Sequence, residues 1–177
     1  MPGPTNTDIV ELAPSEFRRV LGHFPTGMVA ITAFDDEPVG VAVGSFTSIS
    51  LDPPLVGFFI SDSSTTWPRI ERAGSFAVNV LADDQGEVCR LFGLKGAPRF
   101  ARLDWRLGHR GAPLLTGALA WIECDISEVV ELGDHMLVVG AVWRLFAHEN
   151  GSPLIFFRSG YERLATPPSP VGKRGVG

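Results

Sequence analysis

Five hydroxyl side chains crowd into six positions of ISDSSTTWP: Ser61, Ser63, Ser64, Thr65 and Thr66. They run into WPRIERAG, where Pro68 near the start and Gly74 past the end frame a short helix. Hydroxyls, backbone N–H groups and a helix N-terminus together can hold an anion such as a phosphate. The plainer reading is N-capping by Thr65 or Thr66, which needs one hydroxyl only. Just upstream, GVAVGSFTSISLDPPLV (Gly40 to Val56) carries small residues where a packed strand would carry large β-branched ones. Either barrel crowding or a flat ligand close to the backbone explains that choice.

Other chemistry is thin. Glu123 and Asp125 lie two apart on a strand and share a face, which reads as a solvated stripe rather than a catalytic dyad. Cys89 and Cys124 sit among apolar neighbours and read as buried, reduced thiols, as suits a cytoplasmic protein. His23, His109, His135 and His148 show no metal-ligand spacing, so no metal is expected. The chain has no Walker-type phosphate loop, no dinucleotide-binding glycine fingerprint and no nucleophile elbow. Nothing assembles a nucleophile, a base and an orienter. Catalysis by this chain therefore points to a cofactor as the source of reactivity.

The elements that must position these residues are mainly strands. Phe17, Val20, Leu21 and Phe24 recur at helical spacing and predict an amphipathic helix opening near Ser15. MVAITAF, PVGVAVGSFTSIS, PLVGFFI and SFAVNVL predict strands. DDQGEVCRLFG predicts a short helix with acidic residues at its start and Gly93 as its stop, followed by a polar loop from Leu94 to about Pro113. ALAWIECDISEVVEL and HMLVVGAVWRLFAH predict two long strands joined through Gly133–Asp134, and Asn150–Gly151 turns the chain before PLIFFRSGY. Six or seven strands with few helices predict a mostly β fold, an antiparallel Greek-key barrel.

Length and composition bound the rest. At 177 residues the chain fits one domain over 15–164, with Pro- and Gly-rich ends, 1–14 and 165–177, expected to be flexible. A net charge of −5 argues against a nucleic-acid surface but leaves room for a locally held anion. No apolar run approaches the ~20 residues of a membrane span. The start, MPGPTNTDIVELAP, has no signal-peptide pattern, so no membrane association is expected.

HFPTGMVAITAF, PVGVAVGSFTSISLDPPLV, GSFAVNVL, LFG, PLLTGALAWIECD, GDHMLVVGAV and PLIFFRSGY occur in that order from about Phe17 to Leu164. Together they resemble the short-chain flavin reductases, the reductase components of two-component flavin-dependent monooxygenases, above all those serving aromatic and steroid-ring hydroxylases. The resemblance implies a split β-barrel homodimer that binds FMN or FAD, oxidises NADH or NADPH and releases reduced flavin to a separate oxygenase. It implies that Pro38, Val39, Gly40, Val41, Ala42, Gly44 and Ser45 face the flavin. The phosphate falls on the next strand's exit, Phe59, Ile60, Ser61, Asp62, Ser63, Ser64 and Thr65. Leu91 and Phe92 match a segment that touches the flavin, although Phe92 by itself reads as core. For the nicotinamide the resemblance points to His135 and to Phe156, Phe157, Arg158 and Ser159.

Three positions depart from the pattern. Asp62 and Ser63 stand where relatives often carry a basic residue, and Gly44 where they often carry an amide. Weak flavin binding, with flavin as a diffusible substrate, follows from these departures. The rival readings are a flavoprotein with tightly bound FMN that acts as electron carrier or oxidase, and a non-catalytic barrel that carries an apolar ligand. FMN and FAD stay equally open, while Arg158 as the one nameable partner for a 2′-phosphate favours NADH mildly.

Overall fold

The structure, a computed structural model, describes residues 13–94 and 99–165. The ends expected to be flexible therefore lie almost wholly outside the described residues. Twelve strands are described: β1 (Thr26–Gly27), β2 (Val29–Asp35), β3 (Glu37–Val43), β4 (Thr47–Leu51), β5 (Pro54–Ser61), β6 (Ser75–Val80), β7 (Trp105–Leu107), β8 (Pro113–Leu115), β9 (Ala120–Leu132), β10 (His135–Ala147), β11 (Ile155–Phe157) and β12 (Gly160–Glu162). Three helices accompany them: α1 (Pro14–Leu21), α2 (Trp67–Ala73) and α3 (Gly86–Gly93). An antiparallel sheet in the order β3-β2-β6-β9-β10-β5-β4 forms the body, flanked by β1-β11-β12 and by the β7-β8 pair.

Period-2 alternation explains why both faces of the central strands are covered. Along β2, Val29, Ile31 and Ala33 enter one core while Ala30 enters another. The first core lies inside the curled sheet, where Phe58 and Phe76 meet edge to face at 5.4 Å. Truncating either to Ala costs about 3–5 kcal/mol. α2 adds Trp67 and Ile70 to this core and stops at Gly74, whose φ of 69° suits glycine. The second core gathers Leu81, Phe100, Leu115 and Leu154 under α3, which contributes Val88, Cys89 and Phe92.

A buried polar network ties the two regions. Asn79 accepts the Leu115 N–H at 2.7 Å and donates to Thr32 Oγ1 at 3.0 Å. Thr32 Oγ1 donates in turn to Pro113 O at 2.6 Å. Both side chains are fully buried and satisfied, so they fix β8 against the barrel at little desolvation cost.

Several expectations change. PVGVAVGSFTSIS is two strands: β3 pairs with β2, the chain breaks at Gly44–Phe46, and β4 pairs with β5. The stretch read as a polar loop contains a 3-10 turn, Arg99–Arg102, and β7. Gly93 is the last residue of α3 rather than its stop; Leu94, extended at φ −77°, ψ 133°, ends the helix. The expected amphipathic helix forms, but Phe17, Val20, Leu21 and Phe24 are all more than half exposed. Glu123 is buried, not solvated, accepting the His109 N–H at 2.8 Å, while Asp125 pairs with Arg110. Burial pushes the Glu123 carboxyl above its usual range. Both cysteines are free and buried as expected, and burial pushes the Cys124 thiol up to about 12.

Candidate active site

β3, α2 and the turn at Arg99–Arg102 meet around a cleft of about 560 Å³. Pro38, Val39 and Gly40 form one wall, Thr65 and Thr66 a second, and Arg99, Phe100 and Ala101 a third. Arg69 reaches in from α2 but is already matched, to Asp35 at 3.1 Å and Glu37 at 3.0 Å. Arg99 is different. Its guanidinium donates to Leu94 O at 2.9 Å, Gly40 O at 3.3 Å and Thr66 Oγ1 at 3.4 Å. All three acceptors are neutral, and among the described residues no carboxylate pairs with it. A part-buried, uncompensated guanidinium beside two hydroxyls is a place for an anion.

The hydroxyl run divides its labour. Ser61 and Ser63 bond each other at 2.8 Å. Capping of α2 falls to Ser64, whose Oγ accepts the Thr66 and Trp67 N–H groups, and not to Thr65 or Thr66. Those two hydroxyls are thereby left to the cleft. Ser45 also has partners within the chain: its hydroxyl donates to Phe59 O and accepts the Phe59 N–H, each at 3.0 Å.

A second cluster forms where β10 begins. His135 pairs in register with Ser61, and the Asp62 N–H donates to Asp134 O at 3.1 Å. His135 Nδ1 meets Asp134 Oδ1 at 2.7 Å, which holds the Asp134 carboxyl below its usual range with help from the Arg18 charge on α1. At the C-cap of α1, Gly22 O accepts the Arg158 N–H at 3.0 Å.

This order of structural parts is shared with known proteins. The flavin reductase-like domain matches residues 21–165. The chain belongs to that family. It is 51% identical over 154 residues to a flavin reductase of Pseudomonas putida, covering 86% of this chain and 91% of the relative. It is 44% identical to the reductase subunit HsaB of a flavin-dependent monooxygenase from Rhodococcus jostii, covering 89% and 83%. An NADH:FAD oxidoreductase of Streptomyces globisporus, solved with NAD and FAD fragments, superposes with a TM-score of 0.83 at 35% identity, covering 88% and 98%. The split β-barrel expected from the sequence is thus the fold of this flavin reductase.

Within the family frame, the structure sorts the expected residues. Pro38, Val39, Gly40 and Thr65 line the cleft. Val41 and Ala42 continue the same strand, half-buried. Phe59 is exposed, whereas Ile60 belongs to the core. Leu91 and Phe92 are buried, and Phe92 supports the cleft from beneath: a Cβ on Gly40 would stand 2.9 Å from its Cζ. Gly44 lies against Thr26, whose Oγ1 would be 2.6 Å from a Cβ there. A side chain at Gly44 would have to displace the Thr26 hydroxyl. His135, Phe156, Arg158 and Ser159 stay accessible. Arg69 and Arg99 carry no functional signal in the sequence; Arg99 lies in the stretch expected to be a polar loop, marked only by a basic residue beside an aromatic in RFAR.

Proposed function

We propose that this flavin reductase oxidises NADH and reduces FMN or FAD as a diffusible substrate, supplying reduced flavin to a separate monooxygenase. The observation that carries the proposal is the cleft around Arg99, whose unpaired guanidinium and neighbouring Thr65 and Thr66 hydroxyls fit a flavin phosphate. Backbone groups of Pro38 to Gly40 offer polar partners for the flavin's edge, with small side chains alongside. Bound flavin supplies a ring that accepts hydride from the nicotinamide, so the chain needs to align two ligands and not to provide a nucleophile. His135, with Nδ1 engaged by Asp134, keeps Nε2 for the nicotinamide carboxamide or ribose. Arg158 meets the nucleotide's phosphates. NADH is favoured because the Streptomyces globisporus relative is named for NADH. Flavin as a substrate fits the absence of a basic residue at Asp62 and Ser63. A cytoplasmic homodimer completes the proposal.

Gel-filtered protein given NADH tests it. The protein should be colourless, idle without flavin, and saturable by added FMN or FAD. Arg99→Ala should raise the flavin KM about tenfold, the loss of a charged hydrogen-bond partner. Flavin retained through gel filtration favours a tight flavoprotein instead. No NADH consumption with either flavin favours a carrier.

A further inference from the structure

The β11–β12 hairpin turns on Arg158 at φ 46° and Ser159 at φ 66°. Two left-handed residues make the two-residue turn that an Asn–Gly pair forms most easily. Arg and Ser in those places carry a steric cost that glycine avoids. Side chains held there at that cost point to a use for them.

The turn is also held from outside. Gly22 O accepts the Arg158 N–H at 3.0 Å, and the next residue, His23, places Nδ1 3.2 Å from Arg158 Nη2. A guanidinium can only donate, so Nδ1 presents its lone pair and Nε2 carries the proton. The Phe157 ring lies 5.2 Å from the same guanidinium carbon. Most of the paired arginines rest on carboxylates: Arg19 on Glu16, Arg72 on Asp35, Arg90 on Glu87, Arg110 on Asp125. Arg158 rests on a neutral acceptor and a ring. Those partners fix its direction while leaving its charge uncancelled.

We propose that His23 is a positioning residue for Arg158, holding the guanidinium toward the anionic phosphates of the nicotinamide nucleotide. The inference rests on the proposed role of Arg158, and the test separates the two. NADH is varied at saturating flavin for His23→Ala, His23→Asn, Arg158→Ala and the double variant His23→Ala/Arg158→Ala, beside flavin titrations and thermal midpoints. Arg158→Ala should raise the NADH KM about tenfold and His23→Ala about three- to fivefold, as a lost charged contact and a loosened one do. kcat should stay within about twofold and flavin affinity unchanged, the pattern of lost uniform binding. The double variant should be no worse than Arg158→Ala, because His23 acts through Arg158. His23→Asn, whose amide oxygen can replace Nδ1 as acceptor, should return KM to within about twofold of the parent. An unchanged KM in Arg158→Ala overturns the role of Arg158 and the inference with it. A raised KM there with an unchanged KM in His23→Ala overturns the inference alone. So does a His23→Asn variant no better than His23→Ala, or a loss confined to flavin affinity.

Discussion

At Gly40 two demands meet on one α-carbon. Its carbonyl accepts from Arg99 at the rim of the cleft, while the Phe92 ring fills the space where a side chain would start. The small residues of this strand thus answer first to the second core and only then to a ligand. Gly40→Val should therefore cost about 1–3 kcal/mol of stability, as overpacking does, as well as flavin affinity. Thermal melts check this, and Phe92→Leu in the Gly40→Val background should recover part of the loss by clearing the clash. A Gly40→Val protein that melts like its parent would place the ring elsewhere. Gly44 obeys the same logic with Thr26 as the neighbour. Neither neighbour is adjacent in sequence, which is why composition alone left crowding and ligand approach undecided at these positions.

Among the elements, α2 depends on a clasp formed by two of its arginines. Arg69 and Arg72 both bind the Asp35 carboxylate, which ends β2, and together they hold its pKa down at about 2. A carboxylate near 3.9 when unfolded and about 2 when folded stabilises the protein fully above that first value and loses its contribution as pH falls toward the second. Asp35→Asn should lower the urea midpoint at pH 7, and the gap to the parent should close between about pH 4 and pH 2. A gap independent of pH would assign the effect to packing. The strands behind this clasp were legible, because β2, β5, β6, β9 and β10 are rich in β-branched, aromatic and other apolar residues and are bounded by turn residues. The break at Gly44–Phe46 was not: Ser45 leaves the ladder to bind Phe59, fourteen residues on. Nor were β7, held by its pairing with β8, and the Arg99 turn, held by Phe100 in the second core, because both fastenings come from outside these short pieces. Of the site, the hydroxyl run and the hairpin positions could be read from residue types. Arg99 and the burial of Glu123 could not, since each depends on a partner brought in by the fold.

For the whole molecule, apolar surface and thiols matter in opposite ways. α1 and the residues after it leave Phe17, Val20, Leu21 and Phe24 uncovered, and the end of β10 leaves Leu145 and Phe146 uncovered. A helix of eight residues is marginal alone, so a second protomer over such faces fits the proposed homodimer. Sedimentation should give twice the 19.1 kDa chain mass, and Phe17→Asp with Leu21→Asp should shift it toward the monomer. A monomer in the parent protein refutes the dimer. The thiols, by contrast, are hidden. Free reduced flavin that meets dioxygen before it meets an oxygenase yields hydrogen peroxide, so a reductase of this kind works beside its own oxidant. Peroxide attacks thiolates, and burial keeps Cys89 and Cys124 protonated and out of reach. In the proposed reaction, the packing that closes the barrel would shield these thiols from the enzyme's own leakage.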